Sequence, residues 1–189
     1  MTISYKDAAG IEGMRVAGKL ASEVLDFLTP HIKPGLTTNE IDRLAHDFMT
    51  QVQRTIPGIR LGDIGFAIQQ FAERQGFSIV REFCGHGIGQ RFHEDPQVLH
   101  YGKPGTLEEL KPGMIFTIEP MINAGKRDIK DGPEKDGWSI VTRDHSLSAQ
   151  WEHTVLVTET GYEVLTLSAG SPPIPAFVLQ ASTQEVVAA

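Results

Sequence analysis

Between residues 11 and 28, apolar side chains return every three or four positions: Ile11, Met14, Ala17, Ala21, Val24 and Leu28. That spacing puts them on one face and predicts an amphipathic helix. Thr29-Pro30 closes it, because a residue before proline is pushed out of the α region. A second helix is expected from Thr37, where Thr37-x-x-Glu40 forms a capping box ahead of Ile41, Leu44, Ala45 and Phe48. A third is expected over 61–75, with Ile64, Ala67, Ile68 and Phe71 inward and Gly76 as its stop. From residue 77 short β-prone runs take over, punctuated by Gly and Pro. Strands are expected at 77–83, 114–122, 139–142 and 152–158, the last turning through Glu159-Thr160-Gly161 into a hairpin with 162–166. Beyond Gly170 come Pro172, Pro173 and Pro175 without any period, so a loosely held tail is expected. The fold class is α+β.

One repetition stands out. Pro34-Gly35-Leu36 followed by Ile41 and Phe48 matches Pro57-Gly58-Ile59 followed by Ile64 and Phe71, each position offset by 23 residues. Two related halves would produce it. Chance would too, since Pro-Gly before a helix is common. If the repeat is real, only its second copy leads into strands, and the first half is incomplete.

Composition narrows the function classes. The 189 residues carry 17 Lys plus Arg against 24 Asp plus Glu, a formal net charge of −7. An acidic balance argues against bulk nucleic-acid binding and supplies no basic patch for a membrane surface. No apolar run approaches the roughly 20 residues of a bilayer span, and Met1-Thr-Ile-Ser-Tyr lacks the pattern of a signal peptide. A single cysteine, Cys84, excludes an intramolecular disulfide framework and fits a reducing compartment. The expectation is a cytoplasmic monomer with no nucleic-acid or membrane partner.

Chemistry concentrates in Cys84-Gly-His-Gly-Ile-Gly-Gln-Arg-Phe-His-Glu-Asp-Pro96. Its glycines let backbone approach a ligand closely. His86 and His93 offer metal-ligating or acid–base imidazoles seven positions apart. An ordinary glycine-rich turn with surface histidines would look the same. Glu119 lies in the apolar run 114–121, where a carboxylate is costly unless it meets a cation or hydrogen-bond donors. A structural salt bridge to Arg or Lys is the alternative. Glu152 raises the same question ahead of His-Thr-Val-Leu-Val157, with an exposed edge-strand position as its alternative. Together one His and two Glu form a plausible site for Mn, Fe, Co or Zn. His153 points away from Glu152 on a strand and reads as packing. His31, His46, His100 and His145 have no partner visible in the sequence, and Cys84 reads as a small buried residue rather than a nucleophile.

Four ordered segments carry a resemblance: Gly85-His-Gly-Ile-Gly89, Phe92-His-Glu-x-Pro96, Thr117-Ile-Glu-Pro-Met121 and Ser148-Ala-Gln-Trp-Glu-His-Thr154. They resemble type I methionine aminopeptidase, with similarity over about 3–55 and 57–168. Creatinase and prolidase relatives share a similar His-Glu-Glu set, but the last segment is closer to the methionine enzyme. The resemblance implies a pita-bread fold of two pseudo-symmetric halves around a dinuclear metal centre. It makes His86, Glu119 and Glu152 metal ligands, with Glu152 bridging. His93 would contact the substrate and assist catalysis, Glu119 would shuttle the proton, and Phe92 and Trp138 would border the methionine pocket. Such a centre would lower the pKa of a bound water and polarise the scissile carbonyl.

The chain departs from that family in one large respect. The family's segment between the two Pro-Gly copies holds strands, two aspartate ligands, a further histidine and part of the pocket. Here Arg54-Thr-Ile-Pro-Gly58 runs almost directly into the second copy, and no pair of aspartates has the family's spacing. The expectation is therefore a single domain over 1–168 with a truncated first half, and a tail over 169–189. Two activities compete. One is metal-dependent removal of methionine from the N-termini of nascent proteins and peptides, impaired here and using one ion rather than two. The other is an inactive deletion form that keeps part of the site, holds one ion or none, and acts by binding.

Overall fold

The computed structural model describes residues 3–28, 58–133 and 137–167. Two helices lie among them, α1 (Ala8–Leu28) and α2 (Leu61–Arg74). Ten short strands follow: β1 (Ser78–Ile79), β2 (Gly85–Gly87), β3 (Glu94–Val98), β4 (Ile115–Ile118), β5 (Met121–Asn123), β6 (Ile129–Asp131), β7 (Ile140–Thr142), β8 (Ser148–Gln150), β9 (His153–Val157) and β10 (Tyr162–Val164). The expected α+β class holds. The helix over 37–48, the first Pro-Gly copy and the tail beyond 168 lie outside the described residues.

The main sheet runs β10-β9-β4-β2-β3, a smaller one runs β1-β5-β8, and β6 pairs with β7. In the main sheet Phe116 stands opposite Val155 and Ile115 opposite Leu156. Side chains alternate across a strand, so these two pairs serve opposite faces. Phe116 and Val155, with Ile118 and Val157, pack on Leu61, Ile64, Ile68 and Ala72 of α2. Ile115, Leu156 and Leu165 meet Ile11 and Met14 of α1. A sheet covered on both faces has no solvated side, which is why β4 is buried throughout and apolar except at Thr117. Phe116 is fully buried at the centre of the α2 side. Phe116→Ala should cost about 3–5 kcal/mol by urea unfolding; a loss under about 1 kcal/mol would show that this face is not the core.

Three expectations change. The face that α1 buries passes through Ile11, Met14, Gly18 and Ser22, while Ala17 is exposed. The buried Ser22 hydroxyl faces the Lys19 carbonyl at 2.9 Å and the Leu167 carbonyl, beyond the last strand, at 3.2 Å. The segment 84–96, expected as a turn, supplies both β2 and β3, paired Gly85↔Val98 and His86↔Gln97. The strand expected over 114–122 is broken at Glu119-Pro120, so that β4 belongs to the main sheet and β5 to the smaller one. Proline has no N–H to give a ladder, and the break follows from it. The third helix is where the periodicity places it, led in by Gly58 at φ +93° and stopped by Gly76 at φ +83°.

Candidate metal centre

The same interruption occurs on the partner strands. Ile118 pairs with His153 in the main sheet, and Met121 pairs with Gln150 in the smaller one. One long antiparallel ribbon therefore changes sheets at 119–120 on one side and 151–152 on the other. Both breaks carry a glutamate. The register beyond Ile118↔His153 sets Glu119 across from Glu152. On the other side of β4, Gly87 pairs with Phe116, which sets His86 next to Thr117. Three residues far apart in sequence thus meet at one end of three neighbouring strands. One ligand atom each from His86, Glu119 and Glu152 lies within 4.8 Å of the others.

Local bonds orient the group. Thr117, fully buried, accepts the His86 backbone N–H at 3.0 Å and donates its hydroxyl to Glu119 Oε1 at 2.8 Å. His86 Nδ1 lies 3.0 Å from the Gly87 carbonyl. A carbonyl only accepts, so Nδ1 carries the hydrogen of this contact, and the ring's other nitrogen, Nε2, faces Glu119 Oε1 3.6 Å away. The Glu119 carboxyl is pushed above the ordinary range, first by burial and then by the charge of Glu152; the Thr117 hydrogen bond and His86 oppose this. One ring nitrogen and two carboxyl groups thus face one another within reach of a single ion. That donor set, one nitrogen and two carboxylate oxygens, fits a divalent metal ion.

Neither alternative reading of the glutamates describes the structure. Among the described residues the polar side-chain partners of the Glu119 carboxylate are Thr117 and His86 rather than an Arg or Lys. Glu152 is exposed, but the strand it leads into lies between β10 and β4 and is not an edge. His153 packs as expected, taking the Trp151 indole N–H on Nε2 at 3.2 Å and meeting Thr166 Oγ1 at 2.7 Å through Nδ1. Cys84 is half-buried, and burial raises its thiol pKa, which disfavours a nucleophile.

His93 and Phe92 join the site through His86. The His86 and His93 rings meet edge-on with centroids 4.3 Å apart, and Phe92 stands 4.7 Å from His93. Lys6 clips this loop from the N-terminal segment, its Nζ 3.6 Å from Glu94 Oε2. Trp138 sits between β6 and β7 with 87% of its surface exposed. One residue that sequence reading left without a partner belongs here. His100 is 1% exposed, and its Nε2 accepts the Glu119 backbone N–H at 3.1 Å. Burial pushes its pKa down to about 3.

Residues 50–159 match the profile of metallopeptidase family M24. The methionine aminopeptidase of Escherichia coli (strain K12) is 38% identical over 263 aligned positions, covering 94% of this chain and 98% of the relative. Since 94% of 189 residues is about 178, at least about 85 of those positions fall where this chain has none. The crystal structure of methionine aminopeptidase from Rickettsia prowazekii superposes with a TM-score of 0.77 at 34% identity, over 88% of this chain and 100% of that one. The Thermotoga maritima enzyme superposes with a TM-score of 0.61 at 44% identity, over 64% of this chain and 48% of that one.

Proposed function

The chain belongs to the methionine aminopeptidases of metallopeptidase family M24, and from that premise we propose that it hydrolyses the first peptide bond of nascent proteins and peptides that begin with methionine. The observation that carries this reading is the convergence of His86, Glu119 and Glu152 on one point at the ribbon break. These three would hold one divalent ion, Co, Mn, Fe or Zn. The ion supplies Lewis acidity toward a water molecule and a carbonyl oxygen.

The chain's own residues do the rest. Water adds to the carbonyl carbon of the methionine residue, the C–N bond breaks, and a proton must travel from the water to the departing amine. Glu119 is the carrier of that proton. Its carboxylate stands beside the place the ion would take, held by the Thr117 hydroxyl at 2.8 Å, within reach of a water that the same ion would polarise. His93, edge-on to His86, is positioned to hydrogen-bond the substrate's carbonyl oxygen as it gains charge. Phe92, 66% exposed, offers an apolar surface to the methionine side chain, with Trp138 as a further contact.

Turnover is expected to fall below that of a full-length relative, because about 85 aligned positions of the relative have no counterpart here. In the same reading, residues 1–168 form one domain with a truncated first half, 169–189 form a tail, and the protein works as a monomer in the cytoplasm without nucleic-acid or membrane partners. Release of free methionine from a Met-Ala-Ser peptide, with Mn or Co added, tests the activity. Glu152→Ala should abolish that release, a loss of at least about 100-fold. Release no greater from the wild-type chain than from the variant would leave the second reading, a form that binds without catalysis.

A further inference from the structure

The ribbon break that brings the glutamates together also removes a backbone partner. Glu119 falls between β4 and β5, so its N–H has no place in either ladder. A buried N–H must be satisfied. His100 does this from the segment that follows β3, with Nε2 3.1 Å from the Glu119 nitrogen. The acceptor role fixes the tautomer: Nε2 is bare and Nδ1 carries the hydrogen. The choice of residue is physical too. An aspartate or glutamate in this place would accept the same N–H but would bury another negative charge beside Glu119. A neutral imidazole accepts without adding charge.

His100 is itself held from outside. Helix α2 passes so close that a Cβ on Gly65 would lie 2.5 Å from both the Leu99 and the Tyr101 carbonyl oxygens. The residues on either side of His100 are therefore pressed against helix backbone. The Arg81 guanidinium covers the Tyr101 ring at 4.8 Å. Glu119 is gripped at two points, its carboxylate by the Thr117 hydroxyl and its main chain by His100.

Resting on the metal-centre reading above, we infer that His100 is a positioning residue: it anchors the main chain of Glu119 at the ribbon break and so sets where the Glu119 carboxylate stands relative to His86 and Glu152. Removing the anchor lets Glu119 drift while the sheet on either side stays paired. Groups that orient a metal ligand in this way typically change affinity by about 10- to 100-fold.

The test uses the full chain as wild type, His100→Phe, His100→Gln and Glu152→Ala. Phenylalanine keeps a ring but removes the acceptor; glutamine restores an acceptor. Co(II) is titrated into each and followed by its visible absorption, and the Glu119 amide is followed by hydrogen exchange in the metal-free protein. The expected result is Co(II) binding at least about tenfold weaker in His100→Phe and largely recovered in His100→Gln, with Glu119 exchange faster in the first and restored in the second. Equal binding and equal exchange in all the His100 variants would overturn the inference. Should wild type bind Co(II) no better than Glu152→Ala, the metal reading fails by itself, and unchanged Glu119 exchange in His100→Phe then overturns the anchor as well. If His100→Phe does not fold, the ring nitrogen shifts of wild-type His100 decide: a hydrogen on Nε2 would refute the bond.

Discussion

Glu119→Gln should lower methionine release by about 10²- to 10⁴-fold, the range over which general acid–base groups act. The amide can still accept the Thr117 hydroxyl hydrogen, so the fold of the ribbon break is retained while the proton carrier and one anionic ligand are lost. Stability should move the other way. The folded-state pKa of Glu119 is raised above its ordinary value of 4.5, chiefly by burial. A raised pKa means that the folded chain binds the proton more tightly. Its contribution is complete below the unfolded value and is lost as pH rises through the folded value. With a chelator present at pH 7, Glu119→Gln should therefore melt no lower than wild type. The wild-type chain should also lose more melting temperature than the variant between about pH 4.5 and 7. Retained activity, or the same pH slope in both proteins, would remove Glu119 from its assigned role.

The second large effect concerns Gly87→Ala. Gly87 pairs with Glu94 of β3 and with Phe116 of β4, at a register shift just after His86. A Cβ there would lie 2.1 Å from the Asp95 carbonyl oxygen and 2.6 Å from its carbon. Both atoms are backbone in a paired strand, so no side chain can swing aside. We expect a loss of about 3 kcal/mol, which for a chain of this size lowers the melting temperature by about 6–12 °C. Metal uptake should fall too, because the Gly87 carbonyl sets the orientation of the His86 ring. A melting temperature within about 2 °C of wild type would mean that β3 yields at Asp95.

Both residues stand in segments whose importance is visible in the sequence, but what Gly87 packs against is not. The motif run 84–96 identifies His86 and His93, but its glycines suggest a turn. They serve instead as strand backbone against which a neighbouring carbonyl can pack, and that requirement lies in the partner strand. Glu119 and Glu152 are legible as unusual carboxylates. Their meeting is expected from residue type and from the family resemblance, but its geometry is not written locally, because it depends on the register Ile118↔His153, a pairing across 35 positions of chain. His100 leaves no local signal at all. It serves a backbone N–H, and backbone groups look the same at every position. The helix over 61–74 was the most legible element, since a 3.6-residue period is written wholly within its own span. The buried face of α1 is less legible: among the described side chains it includes Gly18 and Ser22, where the apolar period points to Ala17.

The ribbon that changes sheets at Glu119-Pro120 and Trp151-Glu152 has one further consequence. Each glutamate is joined covalently to both sheets, so the gap between the two carboxylates acts as a gauge of the angle between those sheets. Repacking the small sheet, for example around Ile79 and Ile122, which stand opposite each other, would turn β5 and β8 against β4 and β9. The gauge would then read differently without any change to a ligand. Selection could tune this centre for a different ion radius from a distance, through the bend of the ribbon rather than through the residues that do the binding.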